Sequence, residues 1–343
     1  MAYRFAHFFS FMSKVSIIIP CKNAAEFLYE TLLSIRNQSF IDWECIIVDD
    51  HSTDNSLEIV NEFAAEDARF QSFKNAGVGV IHALQCGYKH STSTSAIITR
   101  MDADDLMPVN KLSNLLEALE EKGKGYVATG KVKYFDTLGE GFENYERWLN
   151  KLIDEDSHRA HLYKECVIAS PNWMLYRDDF ERIGAFDSAI YPEDYELVFR
   201  MFSGGLKVAA VTEVTHLWRD HEQRASRVSP LYAANTFLPL KLSWLQKLNR
   251  DETKKLILLG AGKKGKAIAK ELKRLGMEFI WQTNNPKKIG HFIYEVEVQT
   301  QHIPEKSEAQ VLLGVSSPSE VSELEEELSA KEFDLGEDYF VVV

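Results

Sequence analysis

Trp43-Glu44-Cys45-Ile46-Ile47-Val48-Asp49-Asp50-His51-Ser52-Thr53-Asp54-Asn55-Ser56 is an apolar run that stops abruptly on acids and small polar residues. Cys45 to Val48 favour a buried strand, and the residues from Asp54 to Glu66 have helical spacing, so the stretch reads as a strand handing its carboxyl end to a helix. The same change recurs on both sides. Upstream, Val15 to Ile19 precedes a helical Ala24 to Asn37; downstream, Phe70 to Phe73 precedes Val78 to His90, and Ala96 to Thr99 runs into Arg100-Met101-Asp102-Ala103-Asp104-Asp105. Strict alternation of strand and helix implies βαβ units and a parallel sheet. Ligands of such sheets sit beyond the carboxyl ends of the strands. Three polar clusters fall there, Cys21-Lys22-Asn23, Asp49-Asp50-His51-Ser52 and the Asp102 group, so one pocket is expected to collect all three.

Asp102 and Asp104 stand at i and i+2, which in extended backbone puts both carboxylates on one side and turns Asp105 elsewhere. Mg²⁺ or Mn²⁺ takes oxygen ligands and uses one or two carboxylates plus substrate phosphates, so this pair can supply the protein's share. The competing reading is an acidic turn that caps the next helix, with Pro108 in its first turn. Asp105 is assigned to that capping.

The chain has 343 residues, room for two domains of roughly 150 residues, and its 45% hydrophobic and 27% charged content are those of a soluble globular protein. A formal net charge of -13 argues against general affinity for nucleic acid. Cys21, Cys45, Cys86 and Cys166 are far apart and form no CxxC pair, which predicts a reducing, cytoplasmic setting without a disulfide framework or zinc knuckle. No apolar run approaches the ~20 residues of a membrane-spanning helix. Met1 to Met12 carries Phe5, Phe8, Phe9 and Phe11 without a cleavage site; it reads as a tail, an upstream start with Met12 as initiator, or an interfacial anchor giving peripheral membrane contact.

Past Pro108 the regularity breaks down. A helix is expected from Asn110 to Lys122, strands at Tyr126 to Thr129 and Lys131 to Phe135, and a polar, aromatic stretch from Gly139 to Lys164 ahead of the run Val167 to Tyr176. Pro192 opens a helix from Glu193 to Phe202, and a strand from Lys207 to Val211 leads into the charged segment His216 to Arg227. A second alternating unit begins near Thr253, with apolar Lys255 to Leu259, then Gly260-Ala261-Gly262-Lys263-Lys264-Gly265, then a helix from Lys266 to Leu275. Leu231 to Arg250 reads as an amphipathic connecting helix with Pro239 near its middle. The expected divisions are a tail at 1–12, a first domain at 13–228, a connector at 229–252 and a second domain at 253–343.

Val15-Ser16-Ile17-Ile18-Ile19-Pro20-Cys21-Lys22-Asn23, the Trp43 to Ser56 stretch, Asn75-Ala76-Gly77 and Arg100 to Asp105 together resemble, in order and spacing, the family 2 glycosyltransferases. The resemblance covers roughly residues 13 to 228. It implies a GT-A fold with a mixed, mainly parallel α/β sheet, and inverting transfer from a nucleotide-diphosphate sugar to a saccharide or lipid-linked acceptor, assisted by Mn²⁺ or Mg²⁺. Asp50 matches the position that hydrogen-bonds the nucleotide base, with Pro20 and Asn23 on the adjoining wall. A carboxylate suits the N–H of uracil, which makes a UDP-sugar the expected donor. Asp49, Gly77, Arg100, Asp102 and Arg219 complete the expected nucleotide-binding set, and helix capping is the alternative role for Asp49 and Asp50. The sequence departs from the family at Lys22, where many members carry a stacking Tyr.

By the same resemblance, Asp102 and Asp104 match the DxD metal element and His221 could complete the metal shell. Tyr191-Pro192-Glu193-Asp194-Tyr195 resembles the pair whose Asp is the catalytic base, with Asp194 as base and Glu193 as support. Acids that merely favour a helix N-terminus are the alternative. The Leu217 to Arg227 segment resembles a flap over the donor, in which Arg219, Arg224 or Arg227 could hold the diphosphate; a solvated charged loop is the alternative. Asn172 and Trp173 lie where the family commonly meets the acceptor, although a core Trp is an equal possibility. Gly260, Gly262 and Gly265 resemble the turn of a small Rossmann-like domain, a possible second nucleotide site, yet the next strand ends in Gln282-Thr283-Asn284-Asn285 with no acid for a ribose diol. Two other classes of function stay open: an NAD(P)-binding oxidoreductase or sensor centred on residues 253–343, and a non-catalytic module that keeps the GT-A shape. Homo-oligomer formation is open as well.

Overall fold

The first strand and the run from Trp43 pair in parallel along their whole length, Val15 opposite Trp43 through Cys21 opposite Asp49. They begin an alternation that the computed structural model shows in full: β1 (Val15–Cys21), α1 (Ala25–Arg36), β2 (Trp43–Asp49), α2 (Ser56–Glu66), β3 (Phe70–Lys74), α3 (Val80–His90) and β4 (Ile97–Arg100). Successive strand residues point to opposite faces, and both faces are covered. Ile17, Ile19, Cys45 and Ile47 pack with Leu28 and Leu32 of α1 and Val60 of α2, while Ile46 and Val48 meet Ala83 of α3. Burial on both sides is why these strands read as continuous apolar runs instead of alternating ones.

Residues 15–136, 140–224, 227, 237–315 and 317–342 are described; the expected tail at 1–12 lies outside them. The chain divides into two units, the first ending at Asp156 and resuming over Ile168–His221, the second made of Ser157–Val167 and Glu222 onward. The split thus falls ahead of the expected connector, and the short segment 157–167 goes with the second unit.

The first unit continues with α4 (Lys111–Lys122), β5 (Tyr126–Phe135), α5 (Glu140–Glu155), β6 (Met174–Tyr176), α6 (Arg177–Arg182), α7 (Glu193–Ser203) and β7 (Lys207–Arg219). Its sheet has the order β3-β2-β1-β4-β6-β5-β7, with β6 antiparallel to both β4 and β5. This is a mixed, mainly parallel GT-A sheet. The two strands expected at 126–135 are one, with register shifts on both sides of Lys131. The polar stretch from Gly139 contains α5, and β7 runs eight residues past Val211, because its partner β5 stays paired as far as Phe135 opposite Arg219.

The second unit holds α8 (Leu238–Leu248), β8 (Lys255–Leu259), α9 (Lys263–Arg274), β9 (Ile280–Thr283), β10 (Phe292–Ile293), β11 (Val296–Thr300), β12 (Ala309–Leu313), α10 (Pro318–Ala330) and β13 (Tyr339–Val341). The sheet order is β10-β11-β9-β8-β12-β13, parallel except at β10. Pro239 lies in the first turn of α8, not at the middle of a longer helix, which accords with the preference of proline for helix starts. No helix among the described residues is long and apolar enough to cross a membrane.

The β8–α9 turn is tight. A Cβ on Gly265 would lie 2.0 Å from the Gly260 carbonyl oxygen, and Gly260 itself has φ +101°. Gly265→Ala must therefore displace backbone, which is expected to cost about 3 kcal/mol or more of stability in this unit. Urea unfolding would register it as a lowered midpoint; an unchanged midpoint would mean the turn has slack that the geometry does not show.

Candidate active site

The carboxyl ends of β1 and β2 hold Asp50. Its carboxylate accepts Asn75 Nδ2 at 2.7 Å and the Gly79 N–H at 3.0 Å to each oxygen. Gly79 has φ +95°, a backbone conformation in which glycine carries no steric penalty. Lys22 Nζ stands 3.4 Å from Oδ2 and is 54% exposed, so the lysine is the most solvent-accessible of the Asp50 partners. Burial raises the Asp50 acid, but the Gly79 and Asn75 hydrogen bonds and the Lys22 charge outweigh it and hold the carboxyl below its usual range. Pro20 and Asn23 adjoin, with Asn23 Oδ1 accepting the Thr53 N–H at 2.8 Å. Asp49 accepts the Ser52 N–H at 3.3 Å, a turn contact. Asp54 serves the start of α2 by accepting the Ser56 N–H at 3.0 Å. Gly77 offers its carbonyl to His51 at 2.8 Å; Gly79, which the sequence reading passed over, is the glycine that touches Asp50.

Arg100, at the end of β4, joins Asp102 of the loop that follows to the start of α7. Its guanidinium is buried, donating to Asp102 Oδ1 at 2.8 Å and to Glu193 Oε1 at 3.2 Å. Its Nε is buried with no partner among the described residues. Burial opposes the Arg100 charge, yet Asp102, Glu193 and Asp194 outweigh it and raise the group above its usual range. Asp194, the next residue of α7, accepts the Tyr195 N–H at 2.7 Å. Burial first, then the Glu193 charge, push the Asp194 carboxyl up to about 7 against the pull of Arg100. A carboxyl raised in this way is suited to take a proton near neutral pH.

Asp104 meets His221, Oδ2 to Nε2 at 3.0 Å, and the ring packs on Phe27 with centroids 4.5 Å apart. His221 Nδ1 is buried without a partner among the described residues. No three His, Cys, Asp or Glu side chains stand gathered as a ready-made metal cluster among the described residues. The donor set nonetheless fits Mn²⁺ or Mg²⁺: two carboxylates, Asp102 and Asp104, each over a quarter exposed, with the imidazole nitrogen Nε2 of His221 facing Asp104 at 3.0 Å.

Beneath this loop lies a cluster that sequence reading missed. Asp105 is buried, accepting the Arg219 N–H at 2.8 Å on Oδ1 and meeting His216 Nε2 at 3.0 Å on Oδ2. On the other side of that ring, Nδ1 faces Lys111 Nζ at 3.2 Å, and the lysine also donates to the Pro171 carbonyl at 2.6 Å. Lys111 has 0% exposure; burial pushes its ammonium down to about 7, with Asp105 and Asp102 opposing. A signal for Lys111 was present: it lies four and eight residues before Leu115 and Leu119, in the buried stripe of α4.

Four expectations need correction. Asp105 does not cap α4, which begins at Lys111; its carboxylate is spent on β7. Arg219 is not a forked donor awaiting a diphosphate, because Nε bonds the Asp104 carbonyl and the two terminal nitrogens reach Asp136 and Glu30. It also ends β7, so Leu217 to Arg219 are strand and not flap; Arg224 and Arg227 fall in the second unit beside undescribed residues. Asn172 and Trp173 do not face an acceptor. Asn172 is fully buried and bonds the Gly130 carbonyl and the Thr215 hydroxyl, and Trp173 is 2% exposed, packed against Phe180 and Phe186.

In the second unit Gly260, Gly262 and Gly265 form the β8–α9 turn. Packing accounts for Gly265, and the Gly260 carbonyl accepts Trp281 Nε1 at 2.8 Å. Around Gly262 there is open space.

The sheet order and the acids gathered at its strand ends are those of the GT-A class of fold. The Glycosyl transferase family 2 model matches residues 16–184. Glycosyltransferase GlyG of Streptococcus pneumoniae is 32% identical over 215 residues, which is 60% of this chain and 70% of that protein; the chain belongs to family 2 of the glycosyltransferases. A UDP-Glc:α-D-GlcNAc-diphosphoundecaprenol β-1,3-glucosyltransferase of Escherichia coli, WfaP, is 28% identical over 217 residues, 61% of this chain and 78% of the relative. The chain spans half the length of another relative, the probable glycosyltransferase YdaM of Bacillus subtilis, at 28% identity over 59% of this chain. Among solved structures, S. aureus TarS 1-349 in complex with UDP-GlcNAc superposes with a TM-score of 0.54 at 16% identity, covering 76% of this chain and 72% of that one. That likeness bears on the fold of the chain.

Proposed function

We propose that this protein is a metal-dependent inverting glycosyltransferase that moves a sugar from a UDP-sugar to a hydroxyl of a lipid-linked saccharide in surface polysaccharide synthesis. The observation that carries the reading is the Arg100 bridge, which sets the base candidate on α7 beside the acids of the β4 loop. Family membership supports transferase chemistry, and the names of WfaP and of the TarS complex support the donor and acceptor classes. Asp50 takes the N–H of the base edge, and Pro20, Lys22 and Asn23 line the same wall. Asp194 accepts the proton of the acceptor hydroxyl; that oxygen bonds to the anomeric carbon as the bond from carbon to the diphosphate oxygen breaks. Arg100 holds Glu193 in place and limits the rise in the Asp194 acid. Asp104 and His221, with Asp102, are the side chains that would hold a divalent cation, which when bound supplies charge neutralisation at the leaving diphosphate.

The test is release of nucleoside diphosphate from a panel of UDP-, GDP- and dTDP-sugars with a lipid-linked acceptor. Turnover with UDP-sugars supports the reading, and no turnover with any donor sinks it. EDTA is expected to lower the rate at least about tenfold, with Mn²⁺ restoring it; a rate indifferent to EDTA would remove the metal. Titration of the full chain with NAD and NADP addresses the oxidoreductase alternative, since binding of either would favour it.

The pH dependence follows from Asp194. A base must be unprotonated, and an acid pushed up to about 7 keeps its proton below that pH. Log kcat/KM is expected to climb with unit slope up to about pH 7 and level off above it. A profile already flat at about pH 5 would point to an acid of ordinary strength.

A further inference from the structure

The Asp102 to Asp104 loop and the end of β7 are sewn together from below. Leu106 and Leu217 exchange both backbone hydrogen bonds at 3.0 Å. Asp105 grips β7 twice, through the Arg219 N–H and the His216 ring, and Arg219 returns a bond to the Asp104 carbonyl at 3.0 Å. Lys111 closes the chain from α4 to the same ring and to the Pro171 carbonyl ahead of β6. A protonated Lys111 donates to Nδ1, which places the ring proton on Nε2, directed at Asp105. Three ionisable side chains, all under 2% exposed, are a costly way to fill a core, since apolar residues of similar volume would be equally or more stable there. What they provide is a fixed orientation on both sides of the loop.

We propose that Asp105, His216 and Lys111 are positioning residues that hold the β4 loop against the end of β7, so that Asp104 and His221 meet at the distance a shared cation requires. The proposal rests on the glycosyltransferase reading for its ligand, not for its geometry. Removing one charge leaves the other buried and uncompensated, so Lys111→Met alone confounds folding with positioning. Lys111→Met/Asp105→Asn removes both charges and keeps the volumes; a purely structural role is then largely relieved while the grip on β7 is weakened. His216→Gln retains a donor to Asp105 and is expected to behave better than His216→Leu.

Two readouts on the full chain decide it. The first is the NMR signal of the His221 ring carbon-bound protons without ligand, and the second is Mn²⁺ affinity in the presence of UDP, followed by electron paramagnetic resonance. In the double variant the thermal midpoint is expected to recover most of the loss seen in Lys111→Met, the His221 signal to move, and Mn²⁺ binding to weaken by about tenfold or more. An unmoved His221 signal overturns the proposal whatever the metal does. So does Mn²⁺ affinity within about twofold of a wild type that binds it. If the wild type takes up no Mn²⁺ with UDP while the His221 signal still moves in the variant, the metal-dependent part of the proposed function falls and the positioning of the loop stands.

Discussion

Asp194→Asn is expected to lower kcat for sugar transfer by about 10³-fold while leaving the dissociation constant of the donor within about twofold. Asn keeps the shape and still offers an oxygen to the Tyr195 N–H, which Asp194 accepts at 2.7 Å, so the first turn of α7 should not move. It cannot take a proton. Replacing an acid that burial and Glu193 already disfavour as an anion should leave the fold as stable or slightly more so, and thermal unfolding would confirm that the loss is chemical. Transfer near the wild-type rate in this variant would mean that another group accepts the proton and that the assignment of the base is wrong.

Arg100→Met should be damaging for two separable reasons. Loss of the guanidinium leaves Asp102 and Glu193 facing each other without their shared cation, and stripping one partner from a buried pair costs roughly 3–5 kcal/mol, a large part of the stability of a typical domain. Arg100 also lowers the Asp194 acid, so without it the acid rises further. The acidic limb of the kcat/KM profile is therefore expected to move above pH 7, and the rate at neutral pH to fall by about 10²-fold. Adding Glu193→Gln should recover stability, and because the Glu193 charge raises the Asp194 acid at least as much as Arg100 lowers it, the acidic limb should return to about pH 7 or below. A pH profile that stays in place in folded Arg100→Met would dissociate Arg100 from the base. Arg100→Lys keeps the charge but not the fork, and should fall between wild type and Met.

Legibility in the sequence followed locality. The alternation from Val15 to Arg100 was readable because helix and strand periodicity are set by near neighbours, and the glycine turn at 260–265 announced itself by its position between an apolar run and a helix. The polar clusters at the ends of β1, β2 and β4 could be placed together because parallel connections leave all those ends on one side. Reading failed where a residue's partner is far along the chain. Arg219 looked like a free cation in a charged segment, yet it bonds the Asp104 carbonyl and Glu30. Lys111 drew no reading, because its partners His216 and Pro171 lie far along the chain and meet it only when α4 packs its apolar stripe against the sheet.

The sequence by itself determined that acids stand at the carboxyl ends of parallel strands, since that requires only the order of apolar and polar residues. Tertiary structure decided which acids share a partner. The pairings of Arg100 with Glu193, 93 residues on, and of Asp105 with His216, 111 residues on, exist because the sheet turns from β4 through antiparallel β6 to β5 and β7. The same turn buries Asn172 and Trp173 at the start of β6. Strand order is fixed by which faces bury best against one another, a long-range sum that no local pattern of residues contains.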